Sequence, residues 1–198
     1  SADWRHFDVL CDGSFYCHLD LGVLGRHNAM NALAVAATSW VMKIPGEAVS
    51  KGVEAFHGAG RRMEFKGTYH GAQVYDDYAH HPDELRATLE AIRSMGDHRL
   101  VLAFQPHTYT RTKLLMDDFI RELKKADVVV LAEIYAARES NTIGISSADL
   151  AAQIPGSIYC ETLQDVTETL RKIVKEGDIV VTMGAGDIFR AGEALLAE

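Results

Sequence analysis

The chain has 198 residues, 47% of them hydrophobic, which suits one globular domain with a well-buried core plus a smaller appendage. A formal net charge of −8, with no lysine- or arginine-rich patch to offset it, argues against nucleic acid as the main partner. The three cysteines, Cys11, Cys17 and Cys160, lack any paired metal spacing and read as free thiols. No apolar run approaches the ~20 residues that span a bilayer and no signal-peptide pattern opens the chain, so a soluble intracellular protein with no membrane partner is expected.

Residues 1–25 alternate as strands do. Phe7, Val9 and Cys11 share one side, Asp12-Gly13 turns the chain, and Phe15, Cys17 and Leu19 continue the pattern, which predicts a β-hairpin leading into Gly22-Val23-Leu24-Gly25. From His27 the period becomes helical, with Asn28 as the expected cap and Ala32, Ala36 and Trp40 recurring on one face. A second helix is expected from Pro45 to Phe56, ending at His57-Gly58-Ala59-Gly60. Two strands and two helices bury too little to stand alone, so residues 1–58 read as the end of a domain whose larger sheet lies upstream.

Beyond Gly60 the chain settles into regular alternation. Residues 62–72 predict a hairpin arm, Met63–Gly67 against Tyr69–Val74. Strands are expected at Gln73–Tyr78, Leu100–Phe104, Asp127–Glu133, Ser157–Cys160 and Asp178–Met183. Helices are expected at Pro82–Met95, Lys113–Lys125, Ser147–Ile154, Leu163–Lys175 and Asp187–Ala197. Short apolar strands alternating with longer helices predict an α/β domain, residues 59–198, built on a mostly parallel sheet covered by helices on both faces.

The polar clusters fall at strand ends, where α/β folds bind ligands. Asp76-Asp77-Tyr78-Ala79-His80-His81-Pro82 follows the first parallel strand, and four ionisable groups within six positions favour a site over a simple cap. Phe104-Gln105-Pro106-His107-Thr108-Tyr109-Thr110-Arg111-Thr112 follows the next strand; it brings an arginine suited to a carboxylate or phosphate, while its plain reading is a loop with Thr112 as N-cap. Ile134-Tyr135-Ala136-Ala137-Arg138-Glu139 is a third strand-end loop. Met183-Gly184-Ala185-Gly186-Asp187 presents backbone amides at a helix start, a generic anion site. Arg61-Arg62-Met63-Glu64 lies at the domain junction, and His27, Asn28 and Asn31 fall at a helix opening. His70, His80, His81 and His107 carry no ligand pattern for zinc, so no metal is assigned to this chain.

Taken together and in order, these runs resemble the Mur ligases of peptidoglycan synthesis. Gly25-Arg26-His27-Asn28-Ala29-Met30-Asn31-Ala32 comes first, then Phe56-His57-Gly58-Ala59-Gly60-Arg61-Arg62-Met63-Glu64. The Asp-Asp-Tyr-Ala-His-His-Pro, Gln-Pro-His-Thr-Tyr-Thr-Arg-Thr, Ile-Tyr-Ala-Ala-Arg-Glu and Met-Gly-Ala-Gly-Asp-Ile runs follow, and the likeness covers nearly the whole chain. The resemblance implies a Rossmann-like carboxyl-terminal ligase domain preceded by a β-hairpin and two-helix remnant of a central ATPase domain. It also implies bacterial cytoplasm, and an activity that joins L-alanine to the lactyl carboxylate of UDP-N-acetylmuramate using ATP and Mg2+ through an acyl phosphate. The Gln-Pro-His-x-Tyr-x-Arg-Thr run points to L-alanine rather than a ready-made tripeptide as the incoming group. No Gly-x-x-x-x-Gly-Lys-Ser/Thr phosphate loop occurs in the sequence, so the amino-terminal and central domains, with the main Mg2+ ligands, are expected in cis and the chain alone is expected to be inactive.

Carried over position by position, the resemblance gives His27, Asn28 and Asn31 to adenine, Arg62 to the γ-phosphate, and Asp77 to the nucleotide ribose or phosphates. It gives His80, His107 and Arg111 to L-alanine and the acyl phosphate, with Arg62, Asp77 and His80 as the catalytic set. A second arginine commonly stands where this chain has Thr108, which leaves the amino-acid carboxylate to Arg111 or to another residue. Two other readings are carried: a nucleotide or amino-acid binding module without chemistry, and a ribokinase-type sugar kinase in which Asp187 of Gly-Ala-Gly-Asp is the base. The kinase reading is disfavoured because little chain follows that run.

Overall fold

Alternation at residues 6–20 and the helical periods after it build one small unit, and the strand–helix repeat beyond residue 60 builds a larger one. The structure, a computed structural model, describes residues 4–23 and 25–197; Ser1–Asp3 and Leu24 of the expected opening segment lie outside the described residues. The chain divides into Ser1–Ala59 and Gly60–Glu198.

In the first unit β1 (His6–Cys11) pairs antiparallel with β2 (Ser14–Asp20) across Asp12 and Gly13, whose φ values of 50° and 76° give the doubly left-handed turn that matches strand twist. Helix α1 (Arg26–Val41) is capped by Gly25, φ 98°, without a side-chain bond, so Asn28 lies inside the first turn rather than at the cap. Its buried face is Ala29, Ala32, Ala36 and Ser39. Trp40, one position off that stripe, stays half exposed with its ring edge-on to Tyr16 at 5.1 Å. Helix α2 (Gly46–Glu54) follows, and Val9, Cys17, Leu19, Leu21 and Val49 close a small core. Leu10, Phe15, Met30, Val35, Val41 and Met42 remain exposed, a large apolar surface for a unit of this size.

The second unit is a six-stranded sheet in the order β3-β4-β8-β5-β6-β7. Strand β3 (Glu64–Tyr69) runs antiparallel to β4 (Ala72–Asp77), joined by His70 and Gly71 at φ 46° and 82°. The first half of the expected hairpin arm is β3, and its second half, Tyr69–Val74, merges with the expected strand at Gln73–Tyr78 into β4, with the turn at His70-Gly71. The rest are parallel: β5 (Leu100–Phe104), β6 (Val128–Ala132), β7 (Ile158–Cys160) and β8 (Ile179–Met183).

One face of the sheet is covered by α3 (Pro82–Ser94), α5 (Met116–Leu123) and α6 (Ser147–Ala151), which bury Leu85, Leu89, Ile92, Phe119, Leu123 and Leu150 against it. Helices α7 (Leu163–Ile173) and α8 (Phe189–Leu196) cover the other with Val166, Leu170, Ala191 and Leu195. The expected helix Lys113–Lys125 is two pieces, α4 (Tyr109–Leu114) and α5, broken at Leu115 (φ −107°, ψ 22°). Thr112 is not the N-cap. It is buried within α4 and its hydroxyl donates to the Thr108 carbonyl at 2.7 Å, while Thr108 occupies the cap with φ 69°.

Strand β8 lies between β4 and β5, so connections run one way across the sheet after β4 and back after β7. That reversal opens a crevice at the carboxyl ends of β4, β8 and β5. Among the described residues no helix is long and apolar enough to cross a membrane, and all three cysteines are free.

Candidate functional site

Three loops meet at the reversal: residues 78–81 after β4, 105–108 after β5 and 184–187 after β8. The two arginines before β3 divide their labour here. Arg61, at φ 58°, donates from Nε to Asp76 at 2.8 Å, from Nη2 to the Gly184 carbonyl at 2.7 Å and from Nη1 to the Gly186 carbonyl at 3.1 Å. Its guanidinium also lies 5.0 Å from the Tyr78 ring and 4.6 Å from that of Phe189. Asp76, 1% exposed, takes a second bond from Thr182 at 2.8 Å. Arg61 is therefore a fixed strut. Arg62 is exposed, lies 5.7 Å over Tyr78 and makes no hydrogen bond or ion pair among the described residues.

Asp77 is 3% exposed, and its carboxylate is spent inside the unit: it accepts from Met63 N at 2.9 Å, Ala79 N at 2.8 Å and, weakly, Thr88 Oγ1 at 3.4 Å. Burial raises its pKa against these bonds and the nearby Arg62 charge. The direct nucleotide contact expected of Asp77 does not match these surroundings. In this conformation it ties the approach to β3 to the loop after β4.

His80 and His81 have different partners. The Nδ1 of His80 donates to the Tyr78 carbonyl at 3.0 Å and lies 3.4 Å from Glu84; since a carbonyl only accepts, Nδ1 carries the proton and Nε2 is left as a lone pair in the neutral ring. His81 caps α3, accepting from Asp83 N at 3.3 Å, while Glu84 bonds back to His80 N at 2.9 Å and His81 N at 3.2 Å. Burial alone would raise the Glu84 pKa, but those amides and the His80 and Arg62 charges leave it lowered.

The ring of His107 lies 5.7 Å from that of His80 and stacks on Tyr135 at 5.6 Å. Its Nδ1 and the Nη1 of Arg111 are buried with no hydrogen-bond partner. Burial, then the Arg111 and His80 charges, lower the pKa of His107, against a smaller opposing pull from Glu139. Two neighbouring buried polar atoms lacking partners, one on an arginine, are what a carboxylate or phosphate oxygen would satisfy.

The glycine loop after β8 is not the open anion site expected of it. Gln105, 5% exposed, accepts through Oε1 from Asp187 N at 3.0 Å and Ile188 N at 3.2 Å, and donates from Nε2 to Asp187 Oδ1 at 3.0 Å. A Cβ on Gly184 would lie 2.7 Å from the Gln105 carbonyl oxygen, so the side chain and backbone of Gln105 fill the loop. Asp187, the base of the kinase reading, is held by the same amide. Nothing in the run around Gln105 signals this role, because the amide's fit to a loop 82 residues away is a tertiary fact.

The loop after β6 joins from the far side. Tyr135 N donates to the Pro106 carbonyl and Thr108 N to the Tyr135 carbonyl, both at 2.9 Å. Glu139 accepts from Thr110 N at 2.9 Å and from the Thr110 hydroxyl, and these bonds lower its pKa. Arg138 is exposed. His27, Asn28 and Asn31 belong to the first unit, at the opening of α1, where His27 and Asn31 are exposed and Asn28 is half-buried. Among the described residues no group of three or more His, Cys, Asp or Glu is placed to hold a metal ion.

Residues 61–186 match the family model described as Mur ligase, glutamate ligase domain. The UDP-N-acetylmuramate–L-alanine ligase of Lachnospira eligens is 46% identical over 194 residues, spanning 96% of this chain and 42% of that protein. The enzyme of the same name from Clostridium tetani is 42% identical with the same two shares. The chain thus spans less than half the length of these curated relatives. Among solved structures, the UDP-N-acetylmuramate–alanine ligase of Thermotoga maritima superposes with a TM-score of 0.78 at 28% identity, over 93% of this chain and 40% of that one. A pseudomurein peptide ligase of Methanothermus fervidus, at 21% identity and TM-score 0.76 over 98% of this chain and 40% of that one, shares the fold. With a family model matched over most of its length, this chain belongs to the Mur ligase family.

Proposed function

We propose that this chain is the carboxyl-terminal part of an ATP-dependent ligase that joins L-alanine to the lactyl carboxylate of UDP-N-acetylmuramate, a precursor step of peptidoglycan synthesis. The observation that carries the reading is the pair of partnerless buried atoms, His107 Nδ1 and Arg111 Nη1, at the strand-end crevice. An amino-acid carboxylate supplies the oxygens they lack.

The reaction is acyl activation followed by transfer. A carboxylate oxygen of the sugar's lactyl group attacks the γ-phosphorus of ATP, ADP leaves, and an acyl phosphate results. The alanine amine then attacks the acyl carbon, the tetrahedral intermediate expels phosphate, and the nitrogen gives up a proton. Arg62, exposed and unbonded, meets the γ-phosphate and the charge that develops on it. His80 offers Nε2 as the acceptor for the amine proton, its tautomer set by the Tyr78 carbonyl. Arg111 and His107 hold the alanine carboxylate. Asp77 positions the Arg62 segment through Met63 rather than touching nucleotide. Adenine contacts fall to His27, Asn28 and Asn31. Mg2+ would be held mainly by the ATPase domain of the complete enzyme in the cytoplasm, where it would offset the charge of the ATP phosphates.

The test is phosphate release from Mg-ATP with UDP-N-acetylmuramate and L-alanine. The 198-residue chain alone is expected to be silent. Fused to the upstream residues of one of the ligase relatives, it should release phosphate only when alanine is present, and Arg62→Ala should abolish that release. Turnover by the chain alone would show a complete ATP site within these residues and refute the reading.

A further inference from the structure

The aim of Arg111 is set by the backbone beneath it. Its Nη1 is buried without a partner, and no hydrogen bond or ion pair holds the guanidinium among the described residues. Its position therefore depends on α4, and this six-residue helix has little of its own to hold it. Thr112 is its one buried residue, and Thr108 at its start gives it no side-chain bond. The first amides of a helix need acceptors from outside it.

The loop after β6 brings one. Glu139 accepts from Thr110 N at 2.9 Å through Oε2 and from the Thr110 hydroxyl through Oε1. The Thr110 hydroxyl and amide lead the groups that lower its pKa, and the Tyr109 amide and Thr108 hydroxyl add to them against burial. The carboxylate comes from a fixed support. Tyr135 exchanges backbone bonds with residues 106 and 108, Glu139 N closes a turn on the Ala136 carbonyl at 3.0 Å, and Ala137 takes φ 54° within it. Thr108 itself stands at φ 69°, ψ 142°, a conformation that a β-branched residue keeps only where its surroundings impose it. The negative charge of Glu139 opposes an incoming carboxylate, so its value to the site lies in its bonds.

We propose that Glu139 is a positioning residue for amino-acid binding: it caps α4 from the loop after β6 and so sets Arg111 at the crevice. This rests on the ligase reading above. A carboxylate at the start of α4 also suits the positive end of the helix.

The experiment uses the fused, complete ligase. Arg111→Met should raise KM for L-alanine about 10- to 100-fold, the value of one charge-assisted hydrogen bond. Glu139→Ala should raise it about 10-fold, with kcat within about three-fold and KM for ATP within about two-fold. Added to Arg111→Met, Glu139→Ala should change KM for L-alanine by no more than about two-fold, because it acts through the arginine already lost. Glu139→Gln, whose amide accepts from Thr110 N and donates to the hydroxyl, should stay within about three-fold of the unsubstituted fusion. Where Glu139→Ala does not fold, Glu139→Asp, one methylene too short to reach both Thr110 groups, takes its place in the cycle. An unchanged KM for L-alanine overturns the proposal, as does a loss of equal size in the Arg111→Met background. No alanine-dependent turnover in the unsubstituted fusion overturns the ligase reading and this proposal with it.

Discussion

Gln105 is the side chain on which the crevice floor depends, and two substitutions separate its volume from its hydrogen bonds. Gln105→Ala strips the acceptor from Asp187 N and Ile188 N, of which Ile188 is fully buried. A buried amide without a partner costs about 1–3 kcal/mol, and Asp187, half-buried, regains water for its lost bond, so a destabilisation of about 1–3 kcal/mol is expected. Gln105→Glu keeps the acceptor and the volume but sets an oxygen where Nε2 stands, 3.0 Å from Asp187 Oδ1. Two charges at that distance repel by about 5 kcal/mol at an effective dielectric near 20. The pair escapes by binding a proton, which costs about 1.4 kcal/mol for each pH unit above the ordinary carboxyl pKa of about 4.3. That is about 1 kcal/mol at pH 5 and about 4 kcal/mol at pH 7.

The sign follows from linkage: the introduced carboxyl has a raised folded-state pKa, so its stability is intact below about pH 4.3 and is lost as pH rises towards the folded value. Urea unfolding followed by far-UV circular dichroism reads it. Both tryptophans, Trp4 and Trp40, lie in the first unit, so their fluorescence supplies a reference transition. The Gln105→Glu deficit should grow by about 2–3 kcal/mol between pH 5 and 7 while that of Gln105→Ala stays level. A Gln105→Glu deficit flat with pH and below about 1 kcal/mol would refute the plug.

The other expectations use the same measurements. Arg61→Ala strands a buried carboxylate at Asp76 and should cost about 3–5 kcal/mol in the urea midpoint, whereas exposed Arg62→Ala should stay within about 0.5 kcal/mol. Gly52→Ala, inside α2 with open space around the new methyl, should stabilise the first unit by about 0.5–1 kcal/mol in tryptophan-detected unfolding. Gly184→Ala, at φ 150° and against the Gln105 carbonyl, should cost at least about 2 kcal/mol by circular dichroism. Tyr159, whose hydroxyl donates to Glu133 at 2.7 Å, has its pKa pushed up to about 12. It should be the last phenol to ionise in an ultraviolet titration, a late component that Tyr159→Phe removes; its contribution, about 1 kcal/mol after discounting for solvent, is present below about pH 10 and lost as pH rises through about 12.

Much of the larger unit could be read from its residues. Val101-Leu102-Ala103-Phe104 and Val128-Val129-Val130-Leu131 are apolar without alternation because both faces of the sheet are covered, and that fixed their class and place. Caps were less legible where backbone shape replaced a side chain. Gly25 and Thr108 start helices without a side-chain bond, so the polar residues nearest them, Asn28 and Thr112, drew the boundary wrongly. At the site, the clusters could be found but not their internal division. Arg61 and Arg62 are identical in kind, and only the positions of Asp76, Gly184 and Gly186 decide which is strut and which is free. The surroundings of Asp77 were hidden for the same reason, because the amides of Met63 and Ala79 that its carboxylate accepts from carry no signature in sequence.

The position of β8 has a consequence for how this domain comes into being. Residues 179–183 form the inner strand that joins β4 to β5, so Gln73 and Leu100 both wait for Ile179 as their partner. The hairpin β3–β4 and the β5–β6 pair can form locally, yet they stay separate until that late segment threads between them. Such long-range closure slows folding and concentrates it in one step. The crevice loops therefore assemble together: a nascent chain still short of β8 holds its aspartates, histidines and arginines on two unjoined pieces.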